Sequence, residues 1–140
     1  MLPRVADLKV VKLAPFEDAR GTLTAIDLPG VVDFPVRRIF WISGVPADGV
    51  RGQHAHKVCN QFMICQVGRV SVEASDAQSL RHLELAAGTA VFIPAGIYAA
   101  ERFEQPGSVL AVLCDQPYDR GDYIYDLAEL AAFRSAAERK

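Results

Sequence analysis

Along the chain, short runs rich in valine, isoleucine, phenylalanine and tyrosine recur between glycine, proline and aspartate punctuation. This spacing predicts strands at 8–13, 22–27, 36–43, 61–67, 69–74, 81–85, 90–93 and 109–115. Such a rhythm is that of an all-β sandwich or barrel and not of alternating β and α units. One stretch departs from it. Over 127–139, Leu127, Leu130, Ala131 and Phe133 fall on one side of a helix, with Arg134, Glu138 and Arg139 outside that side. A short C-terminal helix is therefore expected, as a cap or an interface element.

Several strands alternate imperfectly, and Phe62-Met63-Ile64-Cys65 is apolar on both faces. A strand of this kind packs one face on the core while the other meets a second layer. A second subunit is the favoured cover, giving a homodimer, since small oligomers are most often closed dimers. The alternative is that the C-terminal helix covers the outer face. No internal repeat, low-complexity tract or linker composition divides the chain, so residues 1–140 read as a single domain.

Composition narrows the partners. With 51% hydrophobic residues in 140, a core can form without disulfide or metal staples. The net charge of −2, from 15 basic and 17 acidic side chains, is scattered, with no run that would bind nucleic acid or a membrane surface. Any anion must be met by a few placed arginines. Cys59, Cys65 and Cys114 match neither C-x-x-C nor a disulfide framework and fit buried thiols in a reducing cytoplasm. The N-terminus has no apolar stretch of signal-peptide length, and the apolar stretch at 88–98 is broken by Pro94 and Gly96. It falls short of the roughly 20 residues a membrane helix requires. A soluble, cytoplasmic protein is expected.

The most informative segment is Gly52-Gln53-His54-Ala55-His56-Lys57-Val58-Cys59-Asn60-Gln61, followed after six residues by Gly68. In a strand, side chains two apart share a face, so His54 and His56 converge on one substrate or one metal. Polar Gln61 in an otherwise apolar strand asks for a solvated or ligand-filled cavity nearby. The competing reading, two histidines at an exposed strand end, explains the histidines but not the clustering.

The spacing H-x-H-x4-Q-x6-G resembles the first cupin motif, in which a glutamate usually stands where Gln61 does. Gly88, Pro94-Ala95-Gly96 and Ala99 resemble the second, G-x5-P-x-G-x2-H, without its final histidine. The resemblance implies a cupin: a double-stranded β-helix, or jelly-roll barrel. Typical cupins hold a metal with two histidines, a carboxylate and a third histidine, and here the last two are Gln61 and Ala99. Two imidazoles and an amide oxygen bind a divalent ion weakly, so no metal is expected. The histidines are then free to titrate near neutral pH and to move protons.

The flanks narrow the resemblance. Asp18-Ala19-Arg20-Gly21-Thr22-Leu23, Arg37-Arg38-Ile39-Phe40-Trp41-Ile42, Arg51-Gly52-Gln53-His54-Ala55-His56-Lys57 and Tyr118-Asp119-Arg120-Gly121-Asp122-Tyr123-Ile124 are similar, in order, to the dTDP-sugar 3,4-ketoisomerases, or WxcM-like family. The resemblance implies a cofactor-free, dimeric enzyme of cell-envelope sugar biosynthesis, such as lipopolysaccharide or S-layer glycan. Its reaction moves a carbonyl between C4 and C3 of a dTDP-linked 4-keto-6-deoxyhexose through an enediol. His54 or His56 would be the catalytic base and the other its proton partner, with Gln61 and Tyr98 bonding sugar oxygens. Arg20, Arg38 and Arg51 become candidates for the pyrophosphate, because guanidinium pairs with phosphate oxygens two at a time. Arg37 reads better as a solvated surface residue. Trp41 and Phe40 are candidates to stack on thymine, although adjacent strand residues face opposite sides and one of the two belongs to the core.

The sequence departs from the family at Tyr98-Ala99, where relatives often carry Trp-His, and at Ala100. Two rival classes therefore stand beside the isomerase. One is a metal-dependent cupin enzyme with Gln61 in the carboxylate's place, and the other a non-catalytic nucleotide-sugar-binding module of the same pathway.

Overall fold

The computed structural model describes residues 1–28 and 30–139. In chain order its strands are β1 (Val10–Lys12), β2 (Pro15–Asp18), β3 (Gly21–Thr24), β4 (Arg38–Ile42), β5 (Gly49–His56) and β6 (Gln61–Val67). There follow β7 (Arg69–Ser75), β8 (Leu80–Ala86), β9 (Thr89–Ile93), β10 (Tyr98–Phe103), β11 (Val109–Cys114) and β12 (Tyr123–Ile124), then the helix α1 (Leu127–Glu138). Two five-stranded sheets, ordered β1-β9-β6-β11-β4 and β12-β5-β10-β7-β8, carry antiparallel pairings throughout. Their facing surfaces enclose the core, the jelly-roll arrangement expected of a cupin. A separate hairpin, β2–β3, projects from the body with every residue exposed.

Strict alternation builds the core. On β6, Met63 and Cys65 face the interior, against Val70, Val72, Leu85, Phe103, Leu110 and Val112. Phe62 and Ile64 face the other way and meet Leu13, Val32, Ala90 and Ala111, with Ile26 and Phe34 alongside. Val32, Ile26 and Phe34 thus cover this face from within the chain. The C-terminal helix, the alternative cover, packs on the other sheet. Full burial of a side chain such as Phe103 is worth about 1.5–3 kcal/mol, and truncating it to alanine would cost about 3–5 kcal/mol.

Gly68 closes the tight turn between β6 and β7 at φ +80°, where a Cβ would collide with Ser108. The helix α1 starts where Asp126 caps it, accepting a hydrogen bond from the Glu129 N–H at 2.7 Å. It docks Leu130 on Ala55 and Ile124, on the outside of the β12-β5-β10-β7-β8 sheet. Arg134 is not on a solvated face as its position in the helical pattern predicts. It is 4% exposed and donates to the carbonyls of Gly96 and Pro3, each at 2.7 Å, tying three distant segments together. No helix among the described residues is long and apolar enough to cross a membrane.

Candidate active site

The site grows from a distortion in β5. Antiparallel pairing with β10 sets His54 opposite Ala99 and then Gly52 opposite Ala100, leaving Gln53 as an extra, bulged residue. Gly52 and Gln53 both adopt positive φ, +82° and +62°, the left-handed conformation that glycine tolerates most readily. The bulge shifts the phase of the strand. Arg51 pairs with Glu101, and both share the inner side with His54, although 51 and 54 are an odd number of residues apart.

Beyond the bulge, His54 and His56 stand two apart on the same face, their ring centroids 4.9 Å apart and edge-on. Each ring is fixed through Nδ1. The His54 Nδ1 donates to the Gly52 carbonyl at 3.0 Å, and the His56 Nδ1 donates to Asp122 Oδ2 at 2.9 Å. Both Nε2 atoms are left as lone-pair acceptors in the neutral rings. Burial, with a smaller contribution from the neighbouring His56, lowers the His54 pKa below the usual histidine value. The His56 pKa is lowered chiefly by burial as well, against the opposing pull of Asp122. The His56 Nε2 is buried and has no hydrogen-bond partner.

Asp122 ends the turn Arg120–Asp122, which Asp119 opens by accepting from the Gly121 N–H at 2.9 Å. Its oxygens also accept from the Val58 and Cys59 N–H groups at 2.7 and 3.2 Å, so the carboxylate is locked in place. The next residue, Tyr123, pairs with His56 across β12 and β5, and its ring centroid lies 4.6 Å from that of His56 and 4.5 Å from that of His54.

In front of this pair opens a cavity of about 520 Å³. His54, Gln61, Arg38, Arg51, Glu101 and Tyr118 are among the groups that line it. Arg38 lies over the rings of Phe40 and Tyr118, 4.8 and 5.3 Å from their centroids. Gln61 is buried and directs its Nε2 at the Cys114 sulfur, 3.7 Å away. Trp41 forms part of the rim at 68% exposure, while Phe40 lines the cavity and packs on the core.

The structure therefore brings His54, Arg38, Trp41, Arg51 and Gln61 to one cavity and seats His56 behind its wall. It does not bring two other expected residues there. Tyr98 faces the outside of β10, packed with Ala55, Ile124 and Leu130, because the inner position of that pair goes to Ala99. Arg20 sits at the tip of the β2–β3 hairpin, 2.6 Å from Asp18 and exposed. Asp122, Tyr118, Tyr123 and Glu101 were not singled out from the sequence. The first three lie in the block Tyr118-Asp119-Arg120-Gly121-Asp122-Tyr123, whose density of tyrosine and aspartate was the available signal.

The donors do not suit a metal. Ala99 offers none, and the Gln61 amide is turned to Cys114. His56, Cys59 and Asp122 do lie close enough to share an ion, but the Asp122 oxygens already accept three hydrogen bonds and the His56 Nδ1 is engaged by one of them. The hydrogen bond with Cys114, and burial after it, push the Cys59 thiol up.

The sequence profile of the FdtA family, described as WxcM-like, C-terminal, matches residues 6–135. The chain belongs to this family. A relative in Aneurinibacillus thermoaerophilus, the TDP-4-oxo-6-deoxy-α-D-glucose-3,4-oxoisomerase, is 26% identical over 117 residues, covering 83% of this chain and 84% of the relative. Among solved structures, the QdtA 3,4-ketoisomerase of Thermoanaerobacterium thermosaccharolyticum, as a double mutant with TDP, superposes with a TM-score of 0.86. It is 26% identical, over 94% of this chain and 97% of that one. A 3,4-ketoisomerase from Helicobacter canadensis gives 0.84 at 28% identity, over 91% and 98%. A mutant QdtA has also been solved with TDP-4-keto-6-deoxyglucose, at 26% identity and a TM-score of 0.85, over 96% and 97% of the two chains. These solved structures share the fold over nearly their whole length.

Proposed function

We infer that the protein is a TDP-4-keto-6-deoxyhexose 3,4-ketoisomerase acting by proton transfer. The observation that carries this is the pair of histidines, each anchored at Nδ1 and bare at Nε2, beside a cavity that also holds Arg38 and Arg51. The family match and the sugar bound to the related QdtA supply the substrate class.

The chemistry is balanced without an added redox partner. The base takes the proton from C3, and the C3–H electron pair forms C3=C4 as the C4 carbonyl becomes an enediol hydroxyl. Return of a proton to C4 and loss of the O3 proton then leave a ketone at C3 and a hydroxyl at C4. We assign the base to His56, because only its ring has a carboxylate at 2.9 Å to stabilise the imidazolium that forms. His54, which faces the cavity, hands protons to and from the sugar oxygens, and Gln61 bonds one of those oxygens. The His56 Nε2 is buried and His56 does not line the cavity, so seating sugar against it requires the cavity wall to move. Arg38 and Arg51 pair with the pyrophosphate, and Trp41 on the rim stacks on the thymine. Tyr98 and Arg20 have no part in this reading.

The working unit is a single domain and a homodimer in the cytoplasm, supplying sugar for cell-envelope glycans. Support for the dimer comes from the β2–β3 hairpin, whose Phe16 and Leu23 are 74% and 61% exposed. A lone two-stranded hairpin is marginal in water, so a second chain is its natural support. Light scattering at the mass of one 15.3 kDa chain would remove that part.

The function is tested by incubating the protein with TDP-4-keto-6-deoxyglucose and following the sugar carbonyl by NMR. Appearance of the 3-keto isomer is expected. An unchanged 4-keto sugar, bound but not converted, would instead leave a nucleotide-sugar-binding module.

A further inference from the structure

Glu101 is a buried acid that the reaction described above does not use. It sits in the middle of β10 between Ala99 and Phe103, on the inner face of the barrel, and is 4% exposed. Its Oε2 has no hydrogen-bond partner. Other buried acids in the chain are saturated: Asp76 accepts from the N–H groups of Val5, Gln78 and Ser79, and Asp122 from His56, Val58 and Cys59. A polar atom buried without a partner costs about 1–3 kcal/mol, so its retention in an otherwise apolar strand face calls for a ligand.

The position points to which ligand. Glu101 lines the same cavity as His54, Arg38 and Arg51. Its carboxyl lies against the β5 bulge, in space that is open only because residue 52 is glycine: a Cβ there would collide with the carboxyl. The Gly52 carbonyl is the group that holds the His54 ring. Glu101 thus lies against the bulge that holds His54, in the cavity that His54 also lines.

We propose that Glu101 is a sugar-binding residue of this site, its carboxyl donating a hydrogen bond to an oxygen of the keto-hexose. The proposal rests on the ketoisomerase reading for the identity of the sugar. Donation requires a proton on the carboxyl, and burial supplies the condition by pushing the Glu101 pKa up to about 8, against the opposing charge of Arg51. The groups around it have few charges. Arg51 faces it from β5, apolar Val72 from β7, and Arg38 lies across the cavity on β4. Tyr98 on its own strand feels the Glu101 charge but packs on the outer face. A neutral carboxyl neither repels the substrate pyrophosphate nor competes with it for Arg51. It discriminates between sugars, because a site built to donate to an oxygen rejects analogues that lack it.

The test is calorimetric titration of the protein, of Glu101→Gln and of Glu101→Leu with TDP and with TDP-4-keto-6-deoxyglucose. All three proteins carry His56→Asn so that the sugar is not consumed. TDP should bind all three within twofold. The keto sugar should bind Glu101→Leu at least tenfold more weakly, whereas Glu101→Gln, whose amide N–H can donate in the same place, stays within threefold. Raising the pH from 7 to 9.5 should weaken keto-sugar binding to the protein with Glu101 by fivefold or more beyond any change seen with Glu101→Gln. Equal affinity of Glu101→Leu, a loss in Glu101→Gln as large as in Glu101→Leu, parallel pH profiles, or keto-sugar binding no tighter than that of TDP would each overturn the proposal. Turnover by the unmutated protein is read separately. Sugar that binds through Glu101 but is never isomerised would remove the ketoisomerase reading and leave this one standing.

Discussion

Asp122 Oδ2 lies 2.9 Å from His56 Nδ1, and the same carboxylate is pinned by the N–H groups of Val58 and Cys59. In the proposed reaction this pinning makes Asp122 a positioning residue: it fixes which His56 nitrogen carries the proton and leaves Nε2 bare. Orientation of a catalytic imidazole by a buried carboxylate can be worth several orders of magnitude in rate.

Replacement of Asp122 by asparagine should therefore lower kcat by about 10² to 10⁴ while leaving TDP affinity within a few-fold. An amide presents either a donor or an acceptor to Nδ1 and cannot stabilise the imidazolium. Steady-state kinetics combined with TDP titration separates the two effects, since a merely structural role would weaken both together.

In the proposed reaction the histidines set the acid limb of the pH profile. Burial lowers both pKa values below 6.5, so the neutral base persists at pH 6.5 and kcat/KM should fall only on further acidification. Stability should follow the same direction. Below about pH 6.5 the unfolded chain takes up the protons first, so the folded state loses stability as the pH drops toward the folded pKa values. Thermal melting between pH 5 and 7.5 checks this, with His54→Asn and His56→Asn each flattening the slope. A rate that rises on acidification through this range would refute it.

Gly52→Ala tests the bulge. The substituted residue would have to hold φ +82° and would press its Cβ on the Glu101 carboxyl. A loss of about 1–3 kcal/mol from the backbone is expected, with displacement of His54 lowering kcat further. Gly88→Ala is the control: it shares a positive φ but has open space around it and lies outside the cavity lining. It should cost stability without touching the rate of the folded enzyme.

Much of this arrangement was legible in the sequence, for physical reasons. Runs such as Gln61–Val67 alternate between two apolar environments, so their strand character is written in residue type. The histidines were legible because a period of two is unambiguous. By contrast β5 and β10 were not predicted as runs: Gly49, Gly52 and Gln53 interrupt one, and small Ala99 and charged Glu101 occupy the inner face of the other. The bulge hid the partnership of Arg51 with His54, since an odd separation normally means opposite faces. Tyr98 was misplaced for a related reason. Its neighbour Ala99 holds the inner position, where the second cupin motif carries a metal-binding histidine, so the adjacent residue 98 turns outward. Asp122 reaches His56 from 66 residues away, and no local pattern carries such a contact.

The central claim is that His56, held by Asp122, removes and returns a proton on sugar carbon. Incubation of the protein with TDP-4-keto-6-deoxyglucose in deuterium oxide tests it most directly, read by NMR or mass spectrometry of the 3-keto product. Deuterium at C4 of the product is expected, with incorporation reduced by about 10² or more in His56→Asn and by less in His54→Asn. A 3-keto product without deuterium would leave internal transfer that bulk water never reaches. Absence of both product and exchange, or undiminished exchange in His56→Asn, would contradict the account.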